Sequence, residues 1–182
     1  MNSPNPGQDF LTDSLTEFRR LKSMSEKALS RMTDDDFFRP LDSESNPAAI
    51  VVKHMAGNLR SRWTDFLTSD GEKPDRARDT EFELYADDTR DSLMARWEKG
   101  WETCFAALEP LTPADLTRTV MIRQEPHTVT RAIIRQLTHY GYHAGQIVTL
   151  AKHAASADWQ SLSVPRGASD EFNRVMMEKG KS

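Results

Sequence analysis

The chain has a single cysteine, Cys104, so no disulfide can form within it, and a reducing, cytoplasmic setting is expected. It has no apolar run near the roughly 20 residues of a membrane span, so no membrane partner is expected. The opening residues, Met1 to Gly7, have no basic start and no apolar stretch, which predicts no secretory leader. There are no repeats and no long low-complexity segment. One-sided charge is also missing: 24 basic and 28 acidic residues are interspersed, with a net charge of −4. Even the local group Arg60, Arg62, Arg76 and Arg78 is interleaved with Asp65, Asp70, Glu72, Asp75 and Asp79. That pattern argues against a nucleic-acid partner.

What is present is an ordinary globular composition, 37% hydrophobic and 29% charged over 182 residues. This is enough chain for one domain with a real core, read here as 1–182. Four segments carry helical periodicity. In the first, Gln8 to Met32, Phe10, Leu11, Leu15, Phe18, Leu21, Ala28 and Leu29 recur three and four apart. The acidic turn Thr33 to Asp36 follows. The second starts at Asn46 as N-cap with Pro47 in the first helical position, and runs to Thr68. A polar, broken segment from Ser69 to Arg76 reads as a long loop. The third helix spans Asp88 to Leu108, stopped by Pro110 and Pro113, with Trp97, Trp101 and Cys104 on its apolar side. From Leu116 to Val129 the pattern turns strand-like, a hairpin around Gln124-Glu125-Pro126. The fourth helix runs from Thr130 to His153. The tail, Trp159 to Ser182, includes a short helix at Ser169 to Glu178 and is expected to pack back on the helices. The expected fold class is all-α, a four-helix bundle with one long loop and a short β-hairpin.

The placement of the five histidines carries the functional signal. His139 and His143 are one helical turn apart, so both imidazoles can reach one point. On a helical wheel they lie at the edge of the core stripe Ile133, Leu137, Tyr140, Ala144, Ile147 and Ala151, next to Gln136 and Gln146. On the second helix, Val51, Met55, Leu59 and Phe66 form the stripe and His54 its edge, with Asn58 and Arg62 one and two turns on. Three neutral imidazoles suit one divalent transition metal ion, Zn, Ni or Fe, and leave a coordination position open. The same spacing also occurs in ordinary helix-face histidines, so the wheel leaves open whether the two helices meet. His127 reads as an exposed or loop-bonding residue, and His153 as a partner of the helix dipole. Trp63, Trp97, Trp101 and Cys104 read as core. Gly57, Gly141 and Gly145, inside helices, are expected to mark close helix approach.

The stretches from Asn46 through His54 to Trp63, and from Gln136 through His139 and His143 to Ile147, resemble the DinB-like (YfiT-like) family of metal-dependent helical bundles. The tail Trp159 to Gly167 is similar to one branch of it, and the likeness covers nearly the whole chain. The resemblance implies a four-helix bundle, usually a homodimer, with a metal on one histidine of the second helix and two of the fourth. By position these are His54, His139 and His143. It also implies, from better-studied relatives, transfer of a low-molecular-weight thiol such as bacillithiol or mycothiol onto an electrophile.

A metal-dependent thiol S-transferase acting on a small molecule is therefore the leading expectation. Asn58, Arg62 and, from a tail folded over the open end, Arg166 are candidates to handle the substrate. A metal-dependent hydrolase is the alternative. Tyr140 stands where a zinc-protease helix carries its general-base Glu, leaving Glu83 or Asp79 of the loop as bases. The third possibility is a non-catalytic metal- or ligand-binding dimer.

Overall fold

The computed structural model describes residues 5–179. Residues 1–4 and 180–182, which take in part of the segment read as carrying no leader and the end of the tail, lie outside the described residues. The chain is mostly helical: α1 (Pro6–Leu29), α2 (Asp34–Phe38), α3 (Ala48–Trp63), α4 (Arg90–Leu108), α5 (Val129–Ala155) and α6 (Ser169–Lys179). One hairpin, β1 (Thr119–Ile122) and β2 (Glu125–Thr128), precedes α5. No described helix is long and apolar enough to cross a membrane.

Local chemistry sets the helix starts. Asn5 accepts the Gln8 amide at the head of α1, Thr89 the Ser92 amide of α4, and Thr128 the Arg131 amide of α5. At α3 the expectation shifts by one residue: Pro47 itself is the cap, and no side chain bonds the first turn. The acidic segment read as a turn is the one-turn helix α2, closed by a Thr33–Asp36 capping box and anchored by the fully buried Phe37. The hairpin turn lies one residue earlier than the composition suggests, at Arg123 and Gln124, with φ of 56° and 62°. Two left-handed residues match the twist of a tight hairpin. Asp70 stabilises them by accepting both amides, at 2.8 Å and 2.7 Å.

Each of the four long helices packs on two of the others: α1 on α5 and α4, α3 on α4 and α5. Each contributes one ring to a central cluster. Phe18 stands 5.8 Å from Trp63 and from Tyr140, and Tyr140 is 5.5 Å from Trp101. Two of the three polar ring groups are paired inside the core, and the buried Trp101 Nε1 is left without a partner among the described residues. Trp63 Nε1 donates to the Tyr140 hydroxyl at 3.0 Å, and that hydroxyl donates to Asn58 Oδ1 at 3.1 Å. This fixes the rotation of α5 one residue from His139.

Helix α3 departs from the amphipathic reading. It is buried on nearly every side, because α2, α4, α5 and the segment after it enclose it. The loop between α3 and α4 folds into a single turn of 3₁₀ helix at Arg78–Phe82, laid along α3. Its far end is pinned by the buried Lys53, whose ammonium meets Asp88 at 2.5 Å and the Glu83 carbonyl at 2.7 Å. Gly100 lets α4 approach α3, since a Cβ there would sit 2.9 Å from that of Leu59. Gly141 and Gly145 do not mark close packing: a Cβ at either meets nothing within 4 Å.

The start of the tail rests at the end of α1. Trp159 lies under the Arg31 guanidinium at 5.1 Å, and Arg31 donates to the Gln160 carbonyl. Beyond it α6 buries no residue.

Candidate metal centre

His54 of α3 and His139 and His143 of α5 converge. Their Nε2 atoms form the inner face: His54 to His139 is 3.4 Å, and His143 to His139 is 3.0 Å. All three candidate ligand atoms lie within 4.8 Å of one another. Nitrogens on a tetrahedral ion at ~2.0–2.1 Å stand roughly 3.3 Å apart, so the spacing fits a metal.

The outer nitrogens are braced. His54 Nδ1 lies 2.8 Å from Glu81 Oε2. Burial alone would raise the Glu81 carboxyl, but bonds from His54 and Arg76 hold it below the ordinary carboxylate range. An ionised carboxylate only accepts, so His54 donates from Nδ1 and turns a lone pair inward at Nε2. His143 Nδ1 lies 2.7 Å from Gln146 Oε1, which likewise only accepts, so its Nε2 also carries a lone pair. Burial, followed by His143 and His54, lowers His139 from 6.5 to about 3, and burial lowers His143. These two imidazoles are neutral at pH 7. Converging imidazole lone pairs, with the His54 and His143 rings oriented from behind, make a donor set that fits a divalent ion.

Glu81 is what sequence reasoning missed. It is buried in the 3₁₀ turn of the loop, between the two carboxylates named as bases. Arg76 holds it by two bonds, Nε to Oε1 at 2.7 Å and Nη2 to Oε2 at 2.8 Å. The one sequence signal is Gly57, a helix-interior glycine three residues beyond His54. A Cβ there would stand 2.1 Å from Glu81 Oε1, so the glycine makes room for this carboxylate and not for another helix.

A cavity of about 440 Å³ opens on one side of the centre, lined in part by His54, His139, Asn58, Arg62 and Gln136. His54, read at the edge of its core stripe, is buried, while His139 and His143 are half-buried. Asn58 and Arg62 are both at the cavity but already engaged: Asn58 accepts from Tyr140, and Arg62 donates to the Gly71 carbonyl and pairs with Glu72 at 3.0 Å. Arg166 is exposed on the tail and is not among the cavity's lining residues, so the tail is not its cover. Asp79 and Glu83 are exposed and absent from the lining, the latter bonded by the Tyr85 hydroxyl at 2.6 Å.

The remaining readings divide. His127, read as exposed or loop-bonding, is 2% exposed and bonds locally. It packs beneath the hairpin, opposite Val120, and its Nδ1 stands 3.0 Å from the Glu125 carbonyl of its own strand. His153 is exposed in the last turn of α5. Cys104 is fully buried, and that burial pushes its thiol well up, as suits a core residue and not a nucleophile.

Searches of curated proteins and of solved structures found no match. A family model matches residues 5–168; the family is described as a protein of unknown function (DUF1572). The match spans nearly the whole of the described chain, and the protein belongs to that family.

Proposed function

We propose that this chain is a DinB-like four-helix bundle that holds one divalent transition metal ion, Zn, Ni or Fe, on His54, His139 and His143. In this reading it is a metal-dependent enzyme that joins a low-molecular-weight thiol to an electrophile. The observation that carries it is the inward convergence of three Nε2 atoms, two of the rings braced from behind, beside a cavity with no lining carboxylate.

A divalent ion there supplies Lewis acidity, lowering the pKa of a thiol from ~8.5 so that it reacts as thiolate at neutral pH. The rest is done by the chain. Glu81 and Gln146 hold the His54 and His143 rings in one tautomer. Tyr140 is fully buried with its phenol pushed well up and both bonding roles used, so it fixes α5 and moves no proton. Arg62 sits at the cavity where a substrate's acidic group would lie. In the transfer a sulfur–carbon bond forms, the thiol proton leaves to solvent, and the acceptor's leaving group departs with its electron pair.

The hydrolase alternative asks for a base beside the ion. Glu81, the nearest carboxylate, is bound to His54 and Arg76, and none lines the cavity, which favours thiol over water. The homodimer that the resemblance implies has a candidate face in the exposed Ile134 and Tyr142 beside the open Gly141 and Gly145 of α5.

Elemental analysis of the purified protein, beside His54→Ala and His143→Ala variants checked for helicity, tests the centre. About one ion per chain is expected, lost from both variants; unchanged metal in both would remove the centre. Metal-loaded protein that consumes no thiol with a bimane or dinitrophenyl electrophile would reduce it to a binding protein.

A further inference from the structure

The cavity beside the histidines is walled by guanidinium groups from four segments of the chain: Arg62 of α3, Arg76 and Arg78 of the loop, Arg123 of the hairpin and Arg135 of α5. No carboxylate among the described residues lines it. Two stand behind the wall. Glu81 is taken by Arg76 and His54. Glu72 is shared by Arg62 at 3.0 Å, Arg123 at 3.2 Å and Arg76 at 3.5 Å. Asp70 is used on the amides of Arg123 and Gln124, and the Asp79 side chain beside Arg78 is wholly in solvent. Five guanidinium groups thus have two carboxylates set among them. Arg135 has no ion-pair partner among the described residues.

Two buried groups here lack a partner. Arg62, 5% exposed, leaves its Nε without one, and Gln136, 3% exposed, leaves its Oε1 without one. Burying an unpaired donor on a charged group is costly, and concentrating like charge along one wall adds repulsion. An anion in the cavity offsets the charge. The overall charge of the chain, −4, conceals this wall entirely.

We infer that this cavity is an anion subsite: it takes a small molecule carrying a doubly charged end, a dicarboxylate or a phosphate monoester, set against Arg62, Arg123 and Arg135. This deepens the reading above and rests on it for the reacting end, since the same molecule would bring its reactive atom to the histidines. A volume of about 440 Å³ suits a small metabolite and not a polymer.

Calorimetric titration with succinate and, separately, inorganic phosphate tests the assignment, on the protein as purified and after chelator treatment. Acetate is the singly charged control. Binding that survives metal removal and falls about tenfold or more in Arg135→Ala and in Arg123→Ala is expected, with metal content unchanged. These two arginines are exposed, so the variants fold. Preference for succinate or for phosphate separates the two chemistries. The inference is overturned by three results: no binding of either dianion, binding equal to acetate, or binding that vanishes with the metal and is indifferent to both variants. Protein that carries no metal as purified and takes up none on loading, yet binds dianions, would sink the histidine centre and leave this subsite standing.

Discussion

Gly57→Ala should separate the stability of this protein from its metal affinity. The added methyl would stand 2.1 Å from Glu81 Oε1, 2.7 Å from Cδ and 3.4 Å from Cγ, so the carboxylate must withdraw by roughly the width of a bond to reach ordinary contact. Two effects oppose each other. Alanine in a helix interior is favoured over glycine by about 1 kcal/mol. Withdrawal loosens the Glu81 bonds to His54 and Arg76, and a bond to a charged group contributes about 1.5–3 kcal/mol. Because Glu81 is a flexible side chain on a surface turn, part of its pairing with Arg76 survives, and net stability should change by no more than about 1 kcal/mol. The displaced carboxylate carries Oε2, the atom that His54 Nδ1 bonds, away with it, and loss of such an orienting partner costs about 10–100-fold in metal affinity. Competition with a chromophoric chelator reads the affinity, and urea denaturation of the chelated protein reads the stability. Gly141→Ala is the control: nothing lies within 4 Å of its Cβ, so it should gain up to about 1 kcal/mol and bind metal as before. A Gly57→Ala protein with unaltered metal affinity would refute the role given to Glu81.

Three further outcomes follow from the same contacts. Burial by itself would raise the Asp88 carboxyl, but bonds from Lys53 and the Tyr85 amide hold it below its ordinary value; its stabilisation is therefore full above about pH 4 and lost as pH falls through the lower folded value. Asp88→Asn should cost about 3–5 kcal/mol at pH 7 by stranding Lys53, and should flatten the acid limb of stability against pH; a variant as acid-sensitive as the parent would contradict the pairing. Gln124→Gly should stabilise the protein by up to about 1 kcal/mol, read as a raised urea midpoint, because φ there is 62° and glycine alone adopts that angle freely; a lowered midpoint would count against the turn assignment. Cys104 should react with a thiol reagent only as the protein unfolds, since its side chain is fully buried; labelling at the rate of a free thiol would show the core to be open there.

The four long helices, the hairpin and the three histidines were legible in the sequence for one reason: each is written in periodicity. α1 and α5 alternate apolar and polar faces, and His139 and His143 fall on a face that counting can find. α3 obeyed the count less well. A helix enclosed on all sides carries no polar face to contrast with, so His54, Asn58 and Arg62 read as the edge of a core stripe when they, like Lys53, are buried polar groups with partners supplied from elsewhere. The glycines show the same division. Gly57 and Gly100 are required by a neighbour and Gly141 is not, yet nothing in the chain around them tells these cases apart.

What counting could not find sits in the polar segment between α3 and α4. Its charges read as solvated loop because acid and base alternate there. In the folded chain they sort by side. Glu72 and Glu81 turn behind the wall to hold Arg62, Arg76 and His54, while Arg78 and Arg123 stay towards the cavity. The interleaving that argued against a charged surface is therefore how one is built here. Each buried carboxylate orients a guanidinium or an imidazole from behind, and the positive character left over faces the place where a metal and an anion would meet.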